Sequence, residues 1–499
     1  MSESNNFKLD SIYSRANAQL AFAQIGEIYA QFLQSSHSND SKFWPQPSSS
    51  AELQAAARKW LDEDESSTDP VKRFASVAAD YRKYGVQLHS PQYMGHQVPP
   101  PIPFAGAMDG LVGGMNQGLA VAEMSPFATA IEEVLVSKLC EIIGYDVKTS
   151  GGVATSGGTL ANLTAILAAR NRTFPQSWQE GCAVAENACL ITSKESHYSI
   201  ARSAGIIGTG IANIIAAPTN EHRQMTGASV RATIAAAKEE GKPVYCVVAS
   251  APSTPIGAID ELDAIADVCA EFGIWLHVDA VHGGPMLMAG GTWANALKGI
   301  HKADSVSWDA HKMMHVPSLC TFILYKKKFD SLLPFENRAT YLFEESPDGS
   351  MSPDLGKRTF ECTKRALSAP LWAVWATYGT QVFQQINARC LSFTRQAQQT
   401  IHARAGFESP FIPQSNILVF RYVGDEVRLQ TITKLNELQV QIRKQLMHEG
   451  SHYITQATLD GVVHLRLTLI NPLTNSQHLD RLLADIEKIA AKIISNTLA

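Results

Sequence analysis

Residues 244–280 read VYCVVASAPSTPIGAIDELDAIADVCAEFGIWLHVDA. Two short apolar runs, Val244–Ala249 and Ile274–Val278, have the length and composition of buried strands. Between them Leu262, Ile265, Ala266, Cys269 and Phe272 recur at steps of three and four residues, which marks one apolar stripe of a helix. Asp260 is placed to cap the start of that helix and Gly273 to end it. Two strands that are apolar without alternation, joined by a helix, predict parallel pairing in a sheet covered on both faces.

The same alternation extends in both directions, from about Gly151 to Lys328. Further strands are predicted at Ala188–Thr192, Ile211–Ala216, Ser305–Trp308 and Thr321–Tyr325, and the small residues Ser156–Thr159 open a clear helix. This predicts a large α/β domain with a mostly parallel sheet, over residues 101–369. After about Ala369 the pattern changes. A long helical stretch, Leu371–Arg404, leads to a strand near Ile417–Tyr422, a charged helix over Glu426–Glu449, a hairpin turning at Asp460-Gly461 and a last helix from about Gln477. That is a smaller α+β domain, 370–499. Residues 1–100 form a helical segment expected to pack on a partner subunit. It ends in HSPQYMGHQVPPPIP, where Pro99, Pro100, Pro101 and Pro103 forbid regular helix.

Composition narrows the function. The 499 residues carry a formal net charge of −5, which argues against a nucleic-acid groove. No apolar run reaches the roughly 18 residues of a membrane span, and the start, MSESNNFKLD, lacks the pattern of a signal peptide. Eight cysteines are scattered with no CxxC pair, which fits a reducing cytoplasm and gives no metal-site spacing. The expectation is a cytoplasmic protein with neither a nucleic-acid nor a membrane partner and no metal.

Four elements carry chemistry. Asp279, in IWLHVDAVHGG, ends an apolar strand, where a carboxylate needs a cationic or protonated partner. Alone it could cap a turn. Lys312, in DSVSWDAHKMMHVP, follows the next strand, and alone it could be a solvated surface charge. Together they are specific, because strand ends of a parallel sheet converge on a ligand crevice. A lysine amine and an acid for a pyridinium nitrogen are what pyridoxal phosphate (PLP) needs. The turn ATSGGTLANLTAILAAR adds backbone N–H groups at a helix start, suited to phosphate. It has neither the GxGxxG nor the GK[ST] pattern. His197, in TSKESHYSIARSAG, either caps a helix or stacks on a flat cofactor ring.

The strings YMGHQ, EMSPFATAIEE, SGGTLANLTA, SHYS, HVDAVHGG and DAHK, in this order, resemble the group II pyridoxal-dependent decarboxylases. These include glutamate, aromatic-amino-acid, cysteine-sulfinate and diaminobutyrate decarboxylases. The resemblance runs from about His89 to Lys312 and resumes near Tyr341, Gly356 and the C-terminal hairpin. It implies the PLP-dependent transferase-like fold type I, a homodimer with active sites at the subunit boundary, and decarboxylation of an L-amino acid to an amine and carbon dioxide.

Residue by residue, it implies that Lys312 carries the cofactor as a Schiff base, Asp279 pairs with the pyridine nitrogen and His197 stacks on the ring. Gly158, Thr159 and His311 would bind phosphate, and Ser253 would meet the cofactor's ring oxygen. Arg466 would receive a substrate carboxylate, and His96 would line the substrate pocket. Leu465, Leu467 and Leu469 share one face of Arg466's strand, which turns Arg466 the other way. Three departures stand out. His96 stands where glutamate decarboxylases have a glutamine in the substrate pocket, and there diaminobutyrate decarboxylases resemble this chain more. DAHK replaces the NPHK of many relatives, putting Asp309 beside an anionic phosphate that His311 or a water would bridge. The segment LFEESPDGSMSPDLGKRTFECTKR, Leu342–Arg365, holds no tyrosine to return a proton to the substrate carbon. A PLP lyase or a decarboxylation-dependent oxidative deaminase is therefore the alternative.

Overall fold

Seven strands form the main sheet: β1 (Gly151–Thr155), β2 (Cys189–Ser193), β3 (Ile214–Ala217), β4 (Val244–Ser250), β5 (Trp275–Asp279), β6 (Ser305–Asp309) and β7 (Thr321–Tyr325). The structure is a computed structural model that describes residues 12–37, 49–62, 69–335, 351–424 and 430–498. The spatial order is β1-β7-β6-β5-β4-β2-β3, and every pairing is parallel except the two made by β7. The strands read from the sequence therefore assemble into the mostly parallel sheet expected of them.

Three local expectations are corrected. Ile211–Asn213 form a 3-10 turn and β3 begins only at Ile214. The helix Leu262–Phe272 does end at Gly273, in the left-handed region at φ 67°. Asp260, however, does not cap its start. Its two carboxylate oxygens accept the N–H groups of Met225 and Ser250 at 2.7 Å each, and Glu261 holds the cap position without a side-chain bond. The stretch Leu371–Arg404 is two helices, Ala369–Tyr378 and Gln381–Ala403, parted at Gly379 with φ 68°.

A second, antiparallel sheet follows, ordered β10-β11-β9-β8, from β8 (Phe407–Glu408), β9 (Ile417–Tyr422), β10 (Thr455–Leu459) and β11 (Val462–Thr468). Leu465 and Leu467 of β11 and the adjoining Leu469 pack in a core with the helices Ile432–Glu449 and Ser476–Leu498. Ahead of the main sheet lie the helices Arg15–Ser36, Ser50–Asp62 and Pro70–Tyr84. Among the described residues no helix is long and apolar enough to cross a membrane.

The helix Gly158–Thr173 controls the geometry of the site. It follows β1 directly, crosses one face of the sheet, and is buried along Ala161–Asn171. On the face it covers, register aligns His277 with Ser305 and Asp279 with Ser307. A strand buried on both sides normally reads as continuous apolar sequence. Here polar residues alternate within β5 and β6, so that face must satisfy them internally.

Candidate active site

The C-terminal ends of β1, β2, β4, β5 and β6 each deliver one element to the crevice. From β1, the chain turns through Gly157, at φ 111°, into the helix start at Gly158. A Cβ on Gly158 would lie 2.9 Å from Val281 Cγ1 and 3.5 Å from Asp309 Oδ1, so this close approach needs glycine. The first helical bond runs from Leu160 N to Gly157 O at 3.0 Å. The N–H groups of Gly158 and Thr159 precede it and stay available for an anion.

From β2 comes His197, at the cap of the helix Tyr198–Ile206, where its Nδ1 accepts the Ser199 N–H at 3.3 Å. The capping role and a site role coexist in one ring. Burial holds this imidazole below its ordinary range, opposed by Asp279 and assisted by Lys312, with Asp309 and Arg202 also acting on it. The acid, the lysine and the histidine singled out in the sequence thus share one electrostatic neighbourhood. Ser253, after β4, has a buried hydroxyl with no hydrogen-bond partner among the described residues.

Asp279, at the end of β5, is buried and accepts from Asn162 Nδ2 at 2.8 Å and from the Val281 N–H at 3.3 Å. Past β6, Lys312 Nζ lies 3.2 Å from Asp309 Oδ2, and His311 Nε2 lies 3.4 Å from the same oxygen. Asp309 Oδ1 accepts from the Thr321 hydroxyl. Asp309 does border the helix start, but its closest cation is Lys312, in the turn that follows β6.

Asn162 is the residue that sequence reasoning missed. An ionised Asp279 only accepts, so Asn162 must face it with its NH2, which also donates to Ser199 Oγ at 3.0 Å. The Ser199 hydrogen is then free for His197 Nδ1, 2.8 Å away. On the other side Asn162 Oδ1 receives Ser307 Oγ at 2.8 Å and His277 Nε2 at 3.0 Å. His277 Nδ1 meets Ser305 Oγ at 2.9 Å, and that oxygen accepts the Trp275 indole N–H at 2.9 Å. Every donor has an acceptor, so the chain fixes both imidazoles as Nε2–H tautomers. The available signal was an asparagine one turn after Gly158, set among Ala161, Leu163, Ala165 and Ile166 in the buried part of the helix.

The substrate side is built by the second sheet. Arg466, on β11, is buried opposite the leucines. Its Nε and Nη2 donate to Thr254 O at 3.1 and 2.8 Å, and Nη1 donates to Gly95 O at 3.3 Å and Thr455 Oγ1 at 3.2 Å. Burial pushes its guanidinium down to about 10, still cationic at neutral pH. His96 tilts against Tyr453, with ring centroids 5.4 Å apart. His282 joins the two halves: burial, with Lys312 and Arg466 adding to it, pushes its imidazole down to about 3, and its Nε2 meets Asn416 Oδ1 at 2.6 Å.

The arrangement fits a planar, phosphorylated aldehyde cofactor. A helix start offers N–H groups to phosphate, the Ser253 hydroxyl, without a partner among the described residues, offers a hydrogen bond, Lys312 offers an amine and Asp279 a buried carboxylate. Tyr341 lies outside the described residues, as do residues 342–350 of the tyrosine-free segment.

Comparison with known proteins agrees. The pyridoxal-dependent decarboxylase conserved domain matches residues 65–423, and the chain belongs to that family, group II of the PLP-dependent decarboxylases. It is a PLP-dependent amino-acid decarboxylase of fold type I. The crystal structure of mouse CSAD is 24% identical, with a TM-score of 0.88 over 96% of this chain and 99% of that one. Oryza sativa TDC with PLP and tryptamine is 20% identical, with a TM-score of 0.86 over 97% and 99%. Rhodiola rosea 4-hydroxyphenylacetaldehyde synthase is 18% identical, with a TM-score of 0.83 over 97% and 99%. At these identities the likeness to solved structures speaks for the fold alone.

Proposed function

We propose that Lys312 Nζ forms the covalent link to the cofactor's aldehyde carbon and that Asp279 keeps a proton on its pyridine nitrogen. His197 lies against the ring face, Gly158 and Thr159 with His311 take the phosphate, and the Ser253 hydroxyl takes the ring oxygen. Bound PLP supplies the sink for the electron pair released when the bond from Cα to the carboxylate breaks. The reading is carried by the hydrogen-bonded chain that runs from buried Asp279 through Asn162 and Ser199 to His197, with Lys312 Nζ paired to Asp309 at 3.2 Å beside the helix start. Arg466 receives a substrate carboxylate, and His96 lines the pocket. Asp309, 3.2 Å from Lys312 Nζ, would be the lysine's counter-ion whenever the amine is not linked to the cofactor.

Borohydride reduction of the holoenzyme followed by peptide mapping tests the assignment. Lys312 should carry the reduced cofactor, and a tag on any other lysine overturns it. An amino-acid panel assayed for carbon dioxide release identifies the substrate. Oxidative deamination after decarboxylation, with dioxygen as oxidant, is the second reading, favoured by the lack of a tyrosine in Leu342–Arg365. It would yield aldehyde, ammonia and peroxide in place of the amine.

The same reading takes the enzyme as a cytoplasmic homodimer. Its eight free thiols support a reducing compartment. Exposed Phe22, Phe104, Leu111, Met115 and Phe127 support a subunit contact by the N-terminal segment and the helices after it. Light scattering should give twice the chain mass.

A further inference from the structure

A cavity of about 450 Å³ opens between the loop after β4 and the second sheet. Its walls include His96, Thr254, Arg443, Thr455, Thr458 and Arg466, and no acidic residue among the described ones lines it. It adjoins the cofactor crevice through Thr254, next to Ser253. Two guanidiniums therefore face one cavity without a counter-ion among the described residues.

The two arginines are not equivalent. Arg466 is held in the wall by bonds to Thr254 O, Gly95 O and Thr455 Oγ1, which leave one Nη2 hydrogen for a ligand. Arg443, half-buried on the helix Ile432–Glu449, donates only through Nε, to Ile454 O at 3.1 Å. Its two terminal nitrogens have no partner among the described residues. Between them, burial and then Arg466 and Arg443 hold the His96 imidazole below its ordinary range. A neutral His96 can give or take a hydrogen bond without adding positive charge.

We propose that Arg443 is a specificity-determining residue: its free fork, backed by Arg466 and His96, binds an anionic group on the substrate's side chain. The enzyme would then act on amino acids with a carboxylate or sulfinate side chain, and the group bound there is the one that stays when the α-carboxylate leaves. The proposal rests on the decarboxylase reading above. A planar guanidinium matches such an oxyanion with two parallel hydrogen bonds. A basic side chain would meet two like charges here, and an aromatic one would strip water from two unpaired cations.

The test compares the holoenzyme with Arg443→Met and Arg443→Lys. Carbon dioxide release is followed from aspartate, glutamate and cysteine sulfinate, from the amides asparagine and glutamine, and from diaminobutyrate and aromatic amino acids. Succinate and glutarate, which lack the amine, are added as competitive inhibitors. The wild type should prefer an acid over its amide. Arg443→Met should raise the acid's KM and weaken dicarboxylate inhibition by about 10- to 100-fold with the cofactor absorbance intact, and Lys should recover part of both. Release from only neutral or basic amino acids would overturn the proposal alone, as would unchanged KM and inhibition in Arg443→Met. No release from any amino acid by a holoenzyme would overturn the decarboxylase reading and the proposal with it.

Discussion

Asn162 donates to Asp279 at 2.8 Å and, through Ser199, governs His197. One amide thus orients both the acid assigned to the pyridine nitrogen and the ring assigned to stack on the cofactor. Hydrogen bonds to charged groups are worth about 1.5–3 kcal/mol each. Asn162→Ala should therefore lower kcat by about 10- to 100-fold while the enzyme still binds PLP. Asn162→Asp should be worse than Ala, because it sets a second carboxylate against Asp279. If Asn162 only filled space, the near-isosteric Asp would be the milder change. Steady-state kinetics of both variants with cofactor titrations decides between the two orders.

Asp309 sits beside the helix start assigned to phosphate, with its Oδ1 within 3.5 Å of where a Gly158 Cβ would lie. A carboxylate there opposes an anionic ligand. Asp309→Asn removes that charge while its amide oxygen can still accept from Thr321. It also frees Lys312 from its ion pair, which favours the neutral amine that reacts with an aldehyde. The variant should bind PLP more tightly, by roughly tenfold for each 1.4 kcal/mol of repulsion relieved. Absorbance titration of the apoenzyme measures this, and weaker binding would make Asp309 a supporting group for the phosphate site.

His277 links the network to pH. Burial pushes its imidazole down to about 4, against the opposing pull of Asp279. A folded-state value below the unfolded one, 6.5, gives stability that is present above pH 6.5 and lost as pH falls through 4. By pH 5 the loss from this one group is about 2 kcal/mol. His277→Gln should be less stable at pH 7.5, since it disturbs the bonds to Asn162 and Ser305. It should also lose less stability than the wild type between pH 7.5 and 5. Thermal unfolding at both pH values checks the difference, and equal losses would remove His277 as the titrating group.

The sequence made the reactive groups legible for a physical reason. Asp279 and Lys312 follow strands whose apolar runs are unmistakable, so their place at strand ends could be read directly. Asn162 was hidden because its partners are 37 to 145 residues away in sequence. The alternation of His277 with Asp279 and of Ser305 with Ser307 was its visible trace. Asp260 looked like a helix cap, yet its oxygens are claimed by backbone donors of two other segments. β1 carries two glycines in five residues and gave little strand signal. The side of Arg466 followed from alternation, but its burial did not, because Thr254 and Gly95 come from distant segments.

Arg466 and His96 together test the substrate side of the site. Arg466→Met deletes a buried cation and four hydrogen bonds, two of them to Thr254 O. If the guanidinium receives substrate, KM should rise by at least about tenfold with the cofactor spectrum unchanged. Lys would restore only part, since an ammonium is a point charge and cannot bridge Thr254 O and Gly95 O as the planar fork does. Loss of PLP in Arg466→Met would instead make this arginine a staple that holds the Ser253–Thr254 loop. His96→Gln keeps a hydrogen-bonding side chain but removes the ring that lies against Tyr453. It should reorder the preferred amino acids on the panel, toward glutamate-like ones. An unchanged order would remove His96 from the pocket, leaving selection to the arginines.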